Sequence, residues 1–552
     1  MLTPEYLSEL PEEILKLFAE AETEILADMA RRLAKYDFWI PSAEYQNQKL
    51  LESGILQEDI LKVLSSATRK SEAELRRMMQ DAGSMSLKAD AAVYEAAGLN
   101  VPSIKDSEPL KAILNAGYKA TAQTMQNLCR TMANAASLQF DRALDGAWLK
   151  VHSGAFDADT AIRDAIKQLS ERGVQAIRYR SGRTDSLEVA VRRAVVTGVN
   201  QTSAQLQEEL ADELECDLVE VSAHSGARPE HAVWQGRIFS RSGTHPKYPD
   251  FRSETGYGRV DGLCGVNCRH TFGPYIEGSP PVWTEEALAE LEKPKYEYDG
   301  KLLTEYEASQ VQRYNERQIR RWKREYVAME VAGQDTTEAA VKIRHWQAAQ
   351  DDFLSKTGFV RHYGREDATH FGYTQASEAA KQAEKFYQEW SKSIGSNNAI
   401  ETLAKYYDVK YNDSPRYELL KNYVRSVENG RMSPLPHFDL YEEYHARIES
   451  EIVGRMVNSI KITGQSKHFL ERVFGTMVDP EKYKKDLQTV RRSGVSLESV
   501  MEALFNPVEI RDVRTTTRKG VARRSQKFVG KSCVVTVNPD TGILIQTNPL
   551  GG

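Results

Sequence analysis

DLVEVSAHSGARPEHAVWQGRIFS occupies residues 217–240, and GYGRVDGLCGVNCRHTFGPYIEG follows at 256–278. The opening Asp217 to Ala223 alternates apolar and polar residues with a period of two, which predicts a half-buried β-strand. Glycines at 226, 236, 243, 256, 258, 262, 265, 273 and 278 then predict many turns and close backbone approaches. A fold so rich in loops needs something to hold it together. The same stretch carries His224, His231, Cys264, Cys268 and His270 in two clusters, H-x6-H and C-x3-C-x-H, about 33 residues apart. Neutral imidazole and thiolate are the ligands zinc prefers, so four of these five are a candidate closed site. The spacing is that of no standard finger, and buried cysteines with hydrogen-bonded histidines are the alternative reading. No general base accompanies the cluster, so a zinc ion here is expected to be structural.

Outward from this segment the texture is helical. Pro11 opens a run whose Ile14, Phe18, Ile25, Met29 and Leu33 fall on one helical stripe. Ser107 to Val151 keeps helical spacing with no proline after Pro109 near its start, interrupted by Gly117 and Gly146, and Asp157 to Glu171 and Asp185 to Leu214 repeat the pattern. These segments read as a structural bundle without a catalytic constellation. Beyond the Gly-rich segment, Leu302 to Ala332 and Thr337 to Leu354 are long, charged and dotted with Tyr and Trp, which predicts exposed helices facing a partner. The expected organisation is multidomain, mainly α with α+β. It comprises a helical region at 1–205, a Gly-rich α+β core at 206–283, long helices at 284–357, a connecting segment with a small helical unit at 358–456, and a basic domain at 457–552.

Composition sets the limits. The chain has 552 residues and a net charge of −6, too long for one core and apolar enough for several. No stretch approaches the roughly 20 uncharged apolar residues of a spanning helix, and Met1 to Glu13 lacks the layout of a signal peptide, so a soluble cytosolic product without a membrane segment is expected. Five cysteines, an odd number in a long chain, argue for reduced thiols over a disulfide framework. The charge is uneven: residues 458–552 hold 16 Lys+Arg against 9 Asp+Glu, net +7, on a body of net −13. A compact basic domain is the electrostatic footprint of RNA or DNA, although basic faces also bind acidic proteins.

That tail reads as a helix carrying Lys467, His468 and Arg472, a second helix from Ser496, and β-strands closing at a turn, Asn538 to Gly542. Metal-independent RNA cleavage needs a general base, a general acid and cationic or hydroxyl donors for the phosphorane. His468, Arg472, Lys467 and Thr547 suit those roles, with Thr536 a secondary choice, and His468 and Arg472 sit four apart on one helix face. Arg511, Arg514, Arg518, Lys519, Arg523, Arg524 and Lys527 supply charge for phosphate contacts, or equally a solvated hairpin.

The strings HSGARPEHAVWQG, GYG and GLCGVNCRHTFGPYIEG resemble the phage minor capsid protein 2 family, related to MuF-type head morphogenesis proteins. The resemblance covers roughly residues 1–355. It implies a virion protein near the portal vertex, assembled in the bacterial host cytoplasm, with portal and other capsid proteins as partners and roles in head assembly and DNA packaging or ejection. ITGQSKHFLERV at 462–473, GVSLESVMEALFNP at 494–507 and KSCVVTVNPDTGILIQTNP at 531–549 are similar to phage-associated nucleases of the barnase, EndoU, colicin E5/D and RelE superfamily. This second resemblance implies an RNase-like toxin domain, with an immunity protein as a further partner, and carries over His468, Arg472 and Thr547. The alternatives are a capsid protein whose tail only binds nucleic acid, and a free-standing polymorphic toxin.

Overall fold

A computed structural model describes residues 1–154, 156–178, 184–394, 400–429, 431–432, 437–466, 468–475, 493–518 and 521–550. The chain is mainly helical with several small, chiefly antiparallel sheets, as the sequence predicts, and divides into two compact units, Met1–Ser377 and Glu378–Gly552. Among the described residues no helix is long and apolar enough to cross a membrane.

The first unit is built on the helices Glu12–Lys35, Ser42–Ala96, Glu108–His152, Ala158–Arg172 and Leu187–Glu213. Their apolar stripes meet in one core that includes Phe18, Met29, Leu64, Met132, Phe140 and Ile166. Side-chain caps set two of the starts: Ser107 Oγ accepts from Leu110 N at 3.4 Å, with Pro109 in the first turn, and Asp157 accepts from Thr160 N at 2.9 Å. The crossing of Glu108–His152 and Leu187–Glu213 explains one of the two glycines in the long helix. A Cβ at Gly117 would lie 2.1 Å from Thr202 Oγ1, and one at Gly198 2.2 Å from Thr121 Oγ1. Each threonine donates back to its own helix, Thr121 to Gly117 O at 2.9 Å and Thr202 to Gly198 O at 2.7 Å. Gly146 has nothing comparable beside it.

The strand predicted at 217–223 forms as Leu218–Val221, in the centre of a three-stranded antiparallel sheet between Ile238–Ser240 and Phe272–Pro274. It is buried on both faces, contrary to the half-buried expectation. Glu220 turns away from water because the chain comes back over it: its Oε1 accepts the amides of Val282 and Trp283 at 2.8 and 3.2 Å.

The helices Glu305–Val331 and Thr337–Thr357 correct another expectation, since the first is largely interior. Trp322 and Tyr326 are buried, and Ala328 and Met329 join the bundle core. Its charges are matched across the interface: Arg324 reaches Glu22 at 2.8 Å with both side chains buried, and Arg320 pairs with Glu188. The helix starts at a capping box in which Thr304 Oγ1 accepts from Glu307 N and Glu307 Oε2 accepts from Thr304 N.

In the second unit the helices Leu403–Asn412, Ser414–Glu428 and Phe438–Glu451 occupy much of the segment read as connecting. A six-stranded sheet follows, ordered Gly464–Gln465, Ile543–Pro549, Cys533–Val537, Val521–Val529, Glu509–Ile510, with Arg514–Arg518 also paired to Val521–Val529. All pairs are antiparallel except Gly464–Gln465 on Ile543–Pro549. The helices Phe469–Phe474 and Leu497–Phe505 pack on this sheet, with Leu470, Val500, Leu504, Phe528 and Val535 buried.

The crossing gives paired expectations. Gly117→Ala forces a methyl into Thr202 and lowers stability by about 1–3 kcal/mol, whereas Gly146→Ala is neutral or stabilising by up to about 1 kcal/mol because the helix loses a flexible residue. Urea midpoints of the two variants check this; equal midpoints would exclude the tight crossing.

Candidate metal centre

Three of the five candidate ligands converge. His231, Cys268 and His270 present ligand atoms that all lie within 4.8 Å of one another, and all three residues are buried. His231 Nδ1 and His270 Nδ1 are 3.4 Å apart, and Cys268 Sγ lies 3.7 Å from each. Bond lengths of about 2.3 Å to sulfur and 2.0–2.1 Å to nitrogen at a tetrahedral angle give separations of about 3.3 Å for N···N and about 3.6 Å for S···N. The three separations therefore match the edges of a zinc tetrahedron.

The proton positions point the same way. Gln235 Nε2 donates to Glu292 at 2.9 Å, and its Oε1 accepts from His224 N at 3.1 Å, which fixes the orientation of the amide. His270 Nε2, 3.1 Å from that same Oε1, must donate. His231 Nε2 lies 2.9 Å from the Asp261 carbonyl, which can only accept, and 3.2 Å from the Arg228 guanidinium, which can only donate; the shorter contact favours Nε2–H donating to Asp261, with Arg228 donating to Val266 O instead. In neutral rings both Nδ1 atoms then carry lone pairs facing each other at 3.4 Å, an arrangement that a shared cation relieves. Burial keeps both rings neutral: it pushes His231 down, and it pushes His270 well below the ordinary histidine range, with His224 and His231 adding to the effect.

The local sequence builds this geometry. Pro229 starts the one-turn helix Pro229–Ala232 that carries His231. Cys268 and His270 follow a tight loop in which a Cβ at Gly262 would fall 2.1 Å from Gly256 O. His224 and Cys264 stand outside the group. The His224 ring stacks on His270 at 4.5 Å, with Nδ1 2.8 Å from Ser225 O. Cys264, in a left-handed conformation at φ +57°, points its thiol 3.6 Å from the His270 carbonyl and into the core with Val221, Phe239 and Phe251. Burial raises both Cys264 and Cys268 thiols. Among the described residues three of the five candidates thus converge, and all three line a cavity of about 600 Å3. Gln235 and the Asp261 carbonyl were not legible as parts of the centre, because their role depends on backbone placement and no spacing signals it.

In the tail, His468 caps the helix Phe469–Phe474 and is exposed, with Nδ1 2.8 Å from Glu471 Oε2 and Arg431 3.5 Å away. Glu471 is itself held by Ser426 at 2.6 Å. Arg472 lies in the last turn of that helix. Thr547 is 1% exposed and its hydroxyl donates to Val534 O at 3.2 Å, and Thr536 is also buried, so both threonines are packed into the sheet. Lys467 and Lys519 lie outside the described residues. Arg514, Arg523 and Lys527 are exposed along the hairpin of Arg514–Arg518 and Val521–Val529, which Arg518 closes through its backbone register with Val521. Arg524 points to the other face, paired with Asp540 at 2.5 Å.

A family model described as Phage minor capsid protein 2 matches residues 2–355. The chain is similar to a structural protein of Lactococcus phage LL-H, 27% identical over 252 residues, which is 44% of this chain and 65% of that protein's length. It is also similar to a structural protein of Lactococcus phage mv4, 34% identical over 125 residues, or 22% of this chain and 93% of that protein. No solved structure matches.

The histidines give a pH dependence. Burial, with Arg269 nearby, pushes His224 down to about 4, and His231 and His270 are lowered as well. The unfolded chain therefore takes up these protons first, so stability is full above pH 6.5 and falls as the pH drops toward 4, with His224 alone contributing on the order of 3 kcal/mol. Urea midpoints at pH 7 and pH 5 should differ accordingly; equal midpoints would contradict neutral buried rings.

Proposed function

The chain belongs to the phage minor capsid protein 2 family, and from that premise we propose that it works beside the portal vertex of the head. It is a phage structural protein of the virion, and its relatives are named structural proteins of Lactococcus phages. The match over residues 2–355 carries this reading, because it spans nearly the whole helical unit and the Gly-rich core. An acidic helical body suits contacts with other proteins, the portal and capsid subunits among them, made during assembly in the host cytoplasm. Purified virions should contain the protein at low copy, crosslinked to portal subunits; virions in which it crosslinks only to shell proteins would remove the portal assignment.

A zinc ion on His231, Cys268 and His270 holds the Gly-rich core. The three donor separations support it, and the ion would tie the Pro229–Ala232 turn to the loop before Phe272–Pro274 where few backbone hydrogen bonds do so. Full-length protein purified without chelator should carry about one equivalent of zinc by elemental analysis, and Cys268→Ser should carry less than about a tenth. Cys264→Ser should keep its zinc. A zinc-free wild type, or full loading of the Cys268 variant, would refute the centre.

The tail is an RNase-like domain acting through His468. Support comes from an exposed imidazole bonded to a carboxylate beside Arg431, on helices packed against an antiparallel sheet. Glu471 orients the ring, as a group that exchanges protons with substrate requires. Full-length protein should cleave RNA in EDTA, and His468→Ala should lose at least about a hundredfold of that rate. Binding without cleavage in both forms would leave only a nucleic-acid-binding tail.

A further inference from the structure

The cavity of about 600 Å3 beside the metal centre is walled by arginine. Seven arginines and no lysine line it, with Glu188 and Glu316 as the lining carboxylates. Arg320 pairs with Glu188, and Arg192 and Arg365 share Glu12, each at 3.2 Å. That leaves Arg228, Arg269, Arg313 and Arg317 without a carboxylate partner among the described residues. Arg228 and Arg269 are steadied by carbonyls, Val266 O and Gly226 O, each at 3.3 Å. Arg313 is half-buried and makes no hydrogen bond or ion pair among the described residues, while Arg317 is exposed at the mouth.

We propose that this cavity binds an oligophosphate, two or three linked phosphates of the kind found in free polyphosphate or in the tail of a nucleoside triphosphate. Unpaired guanidinium groups gathered around a cavity repel one another, and the fold carries that cost unless an anion occupies the space. Burial, then Arg269, Arg365 and Arg192, pushes Arg313 down to about 10, so it stays charged at neutral pH within a positive field. Glu188 is taken by Arg320 and burial raises Glu316 to about 7, so the lining carboxylates only partly offset the excess. Guanidinium forks grip phosphate oxygens two at a time, which an all-arginine lining favours over a lysine-bearing one. Ser309, Tyr306 and Asn267 add neutral donors to the lining. The volume is that of a small-molecule site, too small for a folded partner. The site needs no metal on the neighbouring histidines.

The test is calorimetric titration of the full chain with sodium tripolyphosphate and, separately, with ATP, at matched ionic strength. Saturable binding of tripolyphosphate is expected, weakened about tenfold or more in Arg313→Gln. The same substitution should raise the melting temperature in phosphate-free buffer, because it removes an unmatched charge; a purely structural arginine would do the reverse. Arg317→Gln, at the exposed mouth, should weaken binding without disturbing the fold, and Arg523→Gln in the tail hairpin should leave it unchanged. ATP binding tighter than tripolyphosphate would identify a nucleotide as the source, and the opposite order a free polyphosphate. Absence of saturable binding, unchanged affinity in both cavity variants, or loss confined to Arg523→Gln would overturn the proposal.

Discussion

Burying a charged helix is the constraint on which the Met1–Ser377 unit depends. Glu305–Val331 enters the interior with Arg320, Lys323, Arg324 and Glu325 along its length, and charge removed from water is costly unless opposite charge meets it at short range. Glu22 and Glu188, from helices far earlier in the chain, meet Arg324 and Arg320. Glu22 also accepts the amide of Val174 at 3.0 Å, so one carboxylate fastens both a helix and the chain after Arg172. Breaking one such buried pair typically costs about 3–5 kcal/mol. These pairs hold one wall of the cavity in place, because Arg313, Arg317 and Arg320 project from the same helix.

The candidate metal centre, the cluster of His231, Cys268 and His270, rests on a similar logic at smaller scale. Glu292 turns the Gln235 amide, the amide sets the tautomer of His270, and a backbone carbonyl sets that of His231. Ring nitrogens are left facing one another with a sulfur beside them. The polar groups around the centre are therefore committed before any ion arrives, which is how outer partners usually orient metal-binding histidines.

What was legible in the sequence was local. Helical periodicity gave the bundle, period-two alternation gave the strand at 217–223, and Asn538 to Gly542 gave the closing turn, where Asn538 Oδ1 accepts the amides of Asp540 and Thr541. Readings failed where distant chain supplies the environment. Glu220 looked solvent-facing until Val282 and Trp283 covered it, and Arg320 and Arg324 looked exposed because their partners lie more than a hundred residues away. Two cysteines four apart could not be told apart by spacing; both are buried in the same apolar cluster, and it is Cys268 whose sulfur is grouped with the ring nitrogens of His231 and His270. Nor does any motif mark the cavity, whose arginines are scattered from Arg192 to Arg365. Thr547 was chosen for its hydroxyl, which the adjacent strand already occupies.

The reciprocal seating of Thr202 against Gly117 and Thr121 against Gly198 has a mechanical side. Two notches filled by two knobs make a ratchet: displacement by one residue along either axis would drive a threonine into a side chain, so the helices cannot creep past each other in small increments. The 45-residue helix is roughly 68 Å long, and the lock sits about a quarter of the way along it. Because Met132, Phe140 and Leu144 farther along the same helix are also buried in the bundle core, the lock sets the register of a helix that is held over most of its length.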